Sequence, residues 1–403
     1  MSIPDLDVVA TAPDSDLDPF SEESLADPVP WQTALREQAP VVRLTRYGAY
    51  VLTRHADVKA ALRNWAEFES GAGTGLQNYR TEPPWRPRSL LLETDPPEHT
   101  HYRGAVNPLL LPKALAGLRP RLDAAAHGLL DRLLPLRDVD AVADLAEPYV
   151  VEVFGDAVGL PAEGREHLLP YGHGIFNSFG PLNDLFRRTQ AAAAPATEWV
   201  LAKCRREELS DDGLGAAVWA LTDDGTVTEQ EAPVLVRSLL GAGLDSTVTG
   251  IAAAVQCLAA NPAEWELLRA DPGLARHAFE EVLRYESPVQ NIFRTTTQDV
   301  VVSGTGIPAG QKVMLLLAAA NADPRQYDDP LAFRVQRRGH GQLDLGLGIH
   351  QCIGMHLARM EGEAVLRSLA ERVGELRLRG AGRRKLNNSL RGWASVPVTL
   401  DPA

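Results

Sequence analysis

Cysteine is scarce in this chain of 403 residues: there are three. Cys204, Cys257 and Cys352 are odd in number and widely spaced, so they offer no disulfide framework. A long apolar run is also missing. The longest uninterrupted one, Val313 to Ala320, is far too short to span a bilayer. The opening segment MSIPDLDVVATAPDSDLDP is acidic and lacks the apolar centre of a signal peptide. Positive charge is in deficit, 40 Lys and Arg against 53 Asp and Glu, and a net charge of −13 gives no support to nucleic-acid binding. No Gly/Ser linker, internal repeat or low-complexity tract beyond Ala191–Ala194 divides the chain. The expectation is a cytoplasmic, monomeric, single-body protein over residues 1–403, with about 1–18 as a flexible tail and no membrane or nucleic acid among its partners. Its hydrophobic content of 45% is ample for a core.

Hydrophobic periodicity predicts helices near 28–39, 55–63, 112–134, 141–159, 189–208, 228–260, 262–270, 273–285 and 353–373. Short strands are expected at 41–44, 49–53, 299–302, 312–316 and 396–400. The fold class is therefore mainly α with small β sheets.

Cys352 is the one cysteine set in a distinctive frame, LGLGIHQCIGMHLAR. Gly346, Gly348 and Gly354 let the backbone turn tightly and come close to a large flat group. The residues after Cys352 read as a helix start, whose positive end beside the sulfur would favour the thiolate. A haem iron held by such a sulfur gains electron density that favours O–O cleavage, so the expected chemistry is oxygen activation. Zinc is the alternative, because His350, Cys352 and His356 lie close together and suit that metal.

Two more segments carry chemistry. Residues 228–262 read as one helix of roughly 50 Å, opened by a capping box of Thr228 and Glu231 and stopped at Asn261-Pro262. At its centre lies GAGLDST, where each glycine costs about 1 kcal/mol relative to alanine. A close helix crossing would explain that cost, and so would a groove for a diatomic ligand and its proton donors. On the 273–285 helix, Glu281 and Arg284 share one face at i,i+3 spacing.

The cysteine run resembles the haem-binding loop of cytochrome P450 monooxygenases, FGxGxHxCxGxxLAR. It matches at Gly346, Gly348, His350, Cys352, Gly354, Leu357, Ala358 and Arg359, and has Leu345 where Phe is usual. The resemblance implies a haem b held by the Cys352 thiolate between a long distal helix and a proximal loop. Ala242, Leu345, Gly346 and Gly354 would line it, and His99, Arg103, Arg294 and His350 would hold its propionates. It implies that Asp245 and Ser246 form the acid–alcohol pair that delivers protons, with Ser in the place of the usual Thr. It also makes Glu281 and Arg284 the buried pair that anchors the proximal side, although Ala332 stands where a third partner, Arg, is common. Partners would be an iron–sulfur ferredoxin and a flavin reductase fed by NAD(P)H, docking near Arg337 and Arg338.

Within that family, WRPRSLLLETDPP, IFNSFGPLN, LVRSLLGAGLD and NNSLRGWASVPV are similar to the group that O-demethylates para-substituted benzoates such as 4-methoxybenzoate. By that likeness Arg86, Ser89, Arg237 and Ser238 would bind the carboxylate. Phe176 and Phe179 would sandwich the ring, and Leu92, Ile175, Gly241 and Ile292 would complete the pocket. Gly241 replaces an expected Ser and Ile292 an expected Phe. A tailoring oxygenase of a larger natural product shares every haem motif; a non-catalytic haem carrier or sensor would have little use for Asp245 and Ser246.

Overall fold

The computed structural model describes residues 9–337 and 341–403. Helices dominate, as expected, and small sheets sit to one side. Strand Val41–Leu44 pairs antiparallel with Ala49–Leu52, which runs parallel to Lys312–Leu315; that strand in turn pairs antiparallel with Ile292–Thr296. Asp14–Ser15 and Phe68–Glu69 complete a six-stranded sheet at its two edges. The tail expected to reach about residue 18 is tied in earlier: Ala10 bridges Thr305, and the backbone of Asp14 and Ser15 pairs with Arg43 and Leu44.

Helices 55–63 and 262–270 fall where periodicity placed them, as His55–Arg63 and Pro262–Ala270. Most others shift by a residue or two at their ends. The expected 112–134 helix is interrupted by a tight turn at Ala116–Leu118, and the 141–159 helix opens with a wide π turn at Ala141–Ala146. The 189–208 helix starts earlier, at Asp184, because the Asn183 side chain accepts from the Phe186 N–H at 2.9 Å.

The main core is built around helix Asp245–Ala260, buried along nearly its whole length. It packs against Ala275–Tyr285 and Met355–Arg372, and the ring of Phe279 is the wedge among the three. A Cβ on Gly362 would lie 2.5 Å from that ring, so glycine is needed there for the helices to close on it, and one on Gly250, at 3.3 Å, would crowd it. Ala232–Ala260 together are long and apolar enough to cross a bilayer, contrary to the short-run reading, but 78% of their most apolar 18-residue window is buried inside the protein.

The long helix expected over 228–260 is two helices. Thr228 and Glu231 do form the capping box, with the Thr228 N–H donating to Glu231 Oε2 at 2.7 Å and the Glu231 N–H to Thr228 Oγ1 at 3.3 Å. The chain then runs as Ala232–Ala242, breaks at Gly243 and Leu244, and resumes as Asp245–Ala260. Two hydroxyls take up carbonyls at the break: Ser246 Oγ donates to Ala242 O at 2.9 Å and Thr247 Oγ1 to Gly243 O at 3.1 Å. Side-chain bonds of this kind replace backbone ones and let a helix bend.

Candidate functional site

Cys352 lies at the floor of a cavity beneath this break. Its N–H donates to Leu345 O at 2.7 Å, closing the loop, and Gly346 and Gly348 take positive φ angles of 67° and 73°. A Cβ on Gly348 would come within 2.7 Å of the Leu62 carbonyl, so the loop needs glycine there to pack on helix His55–Arg63. Helix Met355–Arg372 begins three residues after the sulfur. Burial pushes the free Cys352 thiol up, while a bond from the Gly354 N–H and the Arg103 charge pull it down. The expected pull toward the thiolate is present, but burial outweighs it in the free thiol.

The cavity roof is Ala242, Ser246 and Thr247; its walls include Leu91, Leu283, Ile292, Leu317 and Leu345. Basic residues collect on one side. His99 and Arg103 are four apart on helix Glu98–Val106 and share a face. Arg294 comes from strand Ile292–Thr296 and His350 from the cysteine loop. Both ring nitrogens of His350, Nε2 of His99 and Nε of Arg103 are buried with no hydrogen-bond partner among the described residues. Burial, with His350 and Arg103 beside it, depresses His99 to about 4, and burial depresses Arg294 to about 10. His350 is also depressed, by burial, although Asp95 opposes it. Buried polar nitrogens without partners are costly. An anionic group with several acceptor oxygens, such as a pair of haem propionates, supplies what they lack, so the residues fit a haem held by Cys352. Zinc does not fit: no three His, Cys, Asp or Glu side chains among the described residues form a metal-binding group.

Glu281 and Arg284 form the expected buried pair, with two bonds of 2.8 Å and both side chains 3% exposed. The missing third partner is Arg337, whose Nε donates to Glu281 Oε1 at 2.9 Å. It compensates for Ala332, whose carbonyl accepts from both arginines. Arg337 is thus buried in this network rather than presented for docking, and Arg338 lies outside the described residues.

On the roof, Asp245 is fully buried between a lysine and a histidine that the sequence reading missed. Lys385 Nζ lies 3.3 Å from its Oδ1 and His173 Nδ1 3.5 Å from its Oδ2. Burial works against the ionised carboxyl, yet Lys385 and His173 prevail and hold it below the usual carboxylate value. His173 sits on helix Leu168–Asn177, also missed because Pro170, Gly172 and Gly174 are weak helix formers. A Cβ on Gly172 would stand 3.1 Å from Asp245 Cβ, so the glycine permits the close crossing.

A second chamber opens onto this cavity through Ser89, Leu92, Phe176, Ser238, Ala242, Val289 and Ile292, which line both. All ten residues expected around a substrate come together here, joined by Tyr171, Val289 and Asn291, which were not foreseen. Three of the expected roles change. Arg86 grips Glu93 through two bonds of 2.8 and 3.0 Å, so its charge is already answered. Arg237 is the cation without a carboxylate partner among the described residues; it donates only to the carbonyls of Pro87 and Arg88, at 3.0 and 3.2 Å. Phe176 and Phe179 do not sandwich a ring. Their centroids are 5.9 Å apart at 79°, an edge-to-face contact that leaves no slot between them. Ser89 and Ser238 meet at 3.1 Å.

Residues 273–372, which hold the Glu281 pair and the cysteine loop, match the family model described as Cytochrome P450. The chain is 48% identical to "Cytochrome p450 CYP199A2" of Rhodopseudomonas palustris over 98% of this chain and 96% of that protein. It is 33% identical to the vitamin D(3) 25-hydroxylase of Pseudonocardia autotrophica, over 96% of each. Among solved structures, CYP109E1 from Bacillus megaterium in complex with testosterone superposes with a TM-score of 0.83 at 26% identity, covering 94% of this chain and 99% of that one.

Proposed function

The chain belongs to the cytochrome P450 family and is a haem-thiolate monooxygenase, and from that premise we propose that it O-demethylates or hydroxylates a para-substituted aromatic acid such as 4-methoxybenzoate. The observation that carries this reading is the chamber beside the Cys352 cavity: donors at one end, apolar walls, and one unanswered cation, Arg237. Its cavity volume is about 150 Å³. A space of roughly 150 Å³ holds one benzene ring, which favours a single arene over a large natural product.

Arg237, Ser89 and Ser238 would receive the carboxylate. Leu92, Phe176, Val289 and Ile292 would guide the ring, and the para substituent would point through the shared opening toward Cys352. The haem held there supplies oxygen activation. Asp245, fed from the solvent side by Lys385 and His173, would pass protons to the Ser246 hydroxyl and so into the cavity. With a methoxy substrate, one oxygen atom of O2 enters the methyl group and the other leaves as water. The hydroxylated carbon then parts from the ring oxygen as formaldehyde, leaving the phenol. The electrons would come from NAD(P)H through a flavin reductase and an iron–sulfur ferredoxin, with the enzyme a cytoplasmic monomer.

Turnover with 4-methoxybenzoate, NADH and a ferredoxin–reductase pair tests this. Equal amounts of formaldehyde and 4-hydroxybenzoate support the reading, and reductant consumption that yields neither counts against it.

A further inference from the structure

Glu93 does not line the substrate chamber, yet it governs two side chains that do. It is fully buried, and its carboxylate accepts from every side. Arg86 donates to it twice, at 2.8 and 3.0 Å, the Tyr79 hydroxyl once at 3.1 Å and the Ser89 N–H once at 2.8 Å. These donors fill the lone pairs of both carboxylate oxygens. The Glu93 N–H in turn donates to Ser89 O at 2.9 Å, so the turn is closed from both ends and holds the Ser89 hydroxyl 3.1 Å from that of Ser238.

The consequence is electrostatic. Arg86 and Arg237 both line the acid-binding end, and Glu93 stands behind Arg86. Arg86 and Glu93 cancel, so the positive charge presented to a ligand is that of Arg237, which donates to the carbonyls of Pro87 and Arg88. Lys312, a buried amine that also feels Glu93, donates to Gly73 O at 2.6 Å and does not line the chamber. One positive charge matches one carboxylate. A second free guanidinium would hold the acid more tightly, and would hold the product as well, because O-demethylation leaves the carboxylate in place.

We propose that Glu93 is a positioning residue that sets the charge of the acid-binding end: it keeps Arg86 off the substrate and so adapts the chamber to an aromatic acid with a single carboxylate, which must leave again as product. The inference rests on the aromatic-acid reading above and deepens it.

Glu93→Gln keeps the shape of the side chain and removes its charge. Soret titration of the haem-loaded enzyme at neutral pH compares 4-methoxybenzoate with 4-methoxybenzamide, its uncharged isostere, whose affinity is read by competition with the acid. In Glu93→Gln the freed Arg86 turns to the carboxylate, and the acid binds about tenfold tighter or more than in the wild type, the range of a hydrogen bond to a charged group, while the amide gains nothing. In the double variant Glu93→Gln, Arg86→Gln, acid affinity returns to within a few-fold of the wild type, because the pair removed carried no net charge. Acid binding that is unchanged or weaker in the single variant, as a merely structural Glu93 requires, overturns the proposal, and so does an equal gain for the amide. A larger loss in the double variant also overturns it, since Arg86 would then be a direct ligand of the acid; this arm decides alone if the single variant fails to hold haem. If neither compound acts on the wild-type spectrum while haem is present, the aromatic-acid reading itself falls and takes this inference with it.

Discussion

Asp245 carries a buried charge that its neighbours justify. Its folded pKa lies below its unfolded value, so it adds stability above that unfolded value, and the contribution is lost as pH falls through the folded one. Asp245→Asn should therefore be less stable than the wild type at neutral pH, by urea denaturation, with the gap closing as pH falls through the lowered folded pKa. Its turnover should fall by about 100-fold or more, the usual range for losing a general acid. Ser246 keeps the hydroxyl of the usual Thr but lacks the methyl that fixes the rotamer. Ser246→Thr should lower the hydrogen peroxide released per product; no change would refute that role. Gly241 and Gly243, two residues apart, should respond oppositely to serine. At Gly241 the Cβ fits, and a restored donor should tighten 4-methoxybenzoate binding about tenfold, near the lower end for a bond to a charged group. At Gly243 it would stand 2.4 Å from the Phe154 ring and should destabilise by about 1–3 kcal/mol.

At the scale of elements, the proximal anchor is the clearest case of a site half legible in sequence. Glu281 and Arg284 were readable because helical spacing puts them on one face. Arg337 was not, because an irregular segment brings it back to Glu281 with no period to follow. Arg284→Ala should cost about 3–5 kcal/mol by leaving a buried carboxylate unpaired. Arg337→Ala should cost less, about 1.5–3 kcal/mol, since Glu281 keeps Arg284 and the Arg334 N–H. Thermal unfolding and haem retention would rank the two. The distal helix teaches a similar lesson. Its glycine-rich centre signalled something costly, and the structure resolves it as a break sealed by Ser246 and Thr247 hydroxyls, with both explanations for the glycines present at once: Gly243 meets the Phe154 ring, and Ala242 and Ser246 face the cavity.

Over the whole molecule, the cysteine loop and the substrate walls were legible because their residues stand in recognisable contiguous stretches. The basic side chains around Asp245 were not. His173 comes from a glycine- and proline-rich helix and Lys385 from a short hairpin, Arg383–Lys385 with Gly392–Ser395, and only the tertiary fold joins them. The small sheets were partly seen, since the Val-rich strands alternate clearly, whereas Ile292–Thr296 hides in a polar run, RTT, whose side chains are buried by the fold. What this architecture claims is that a chamber ending in Arg237, Ser89 and Ser238 delivers an aromatic acid to the metal side of Cys352. Titrating the ferric, haem-loaded protein with 4-methoxybenzoate and with its uncharged methyl ester, while following the Soret band, tests that claim most directly. A low-to-high-spin shift with the acid alone is the predicted result. A haem spectrum that responds to neither compound, or to both equally, would contradict it.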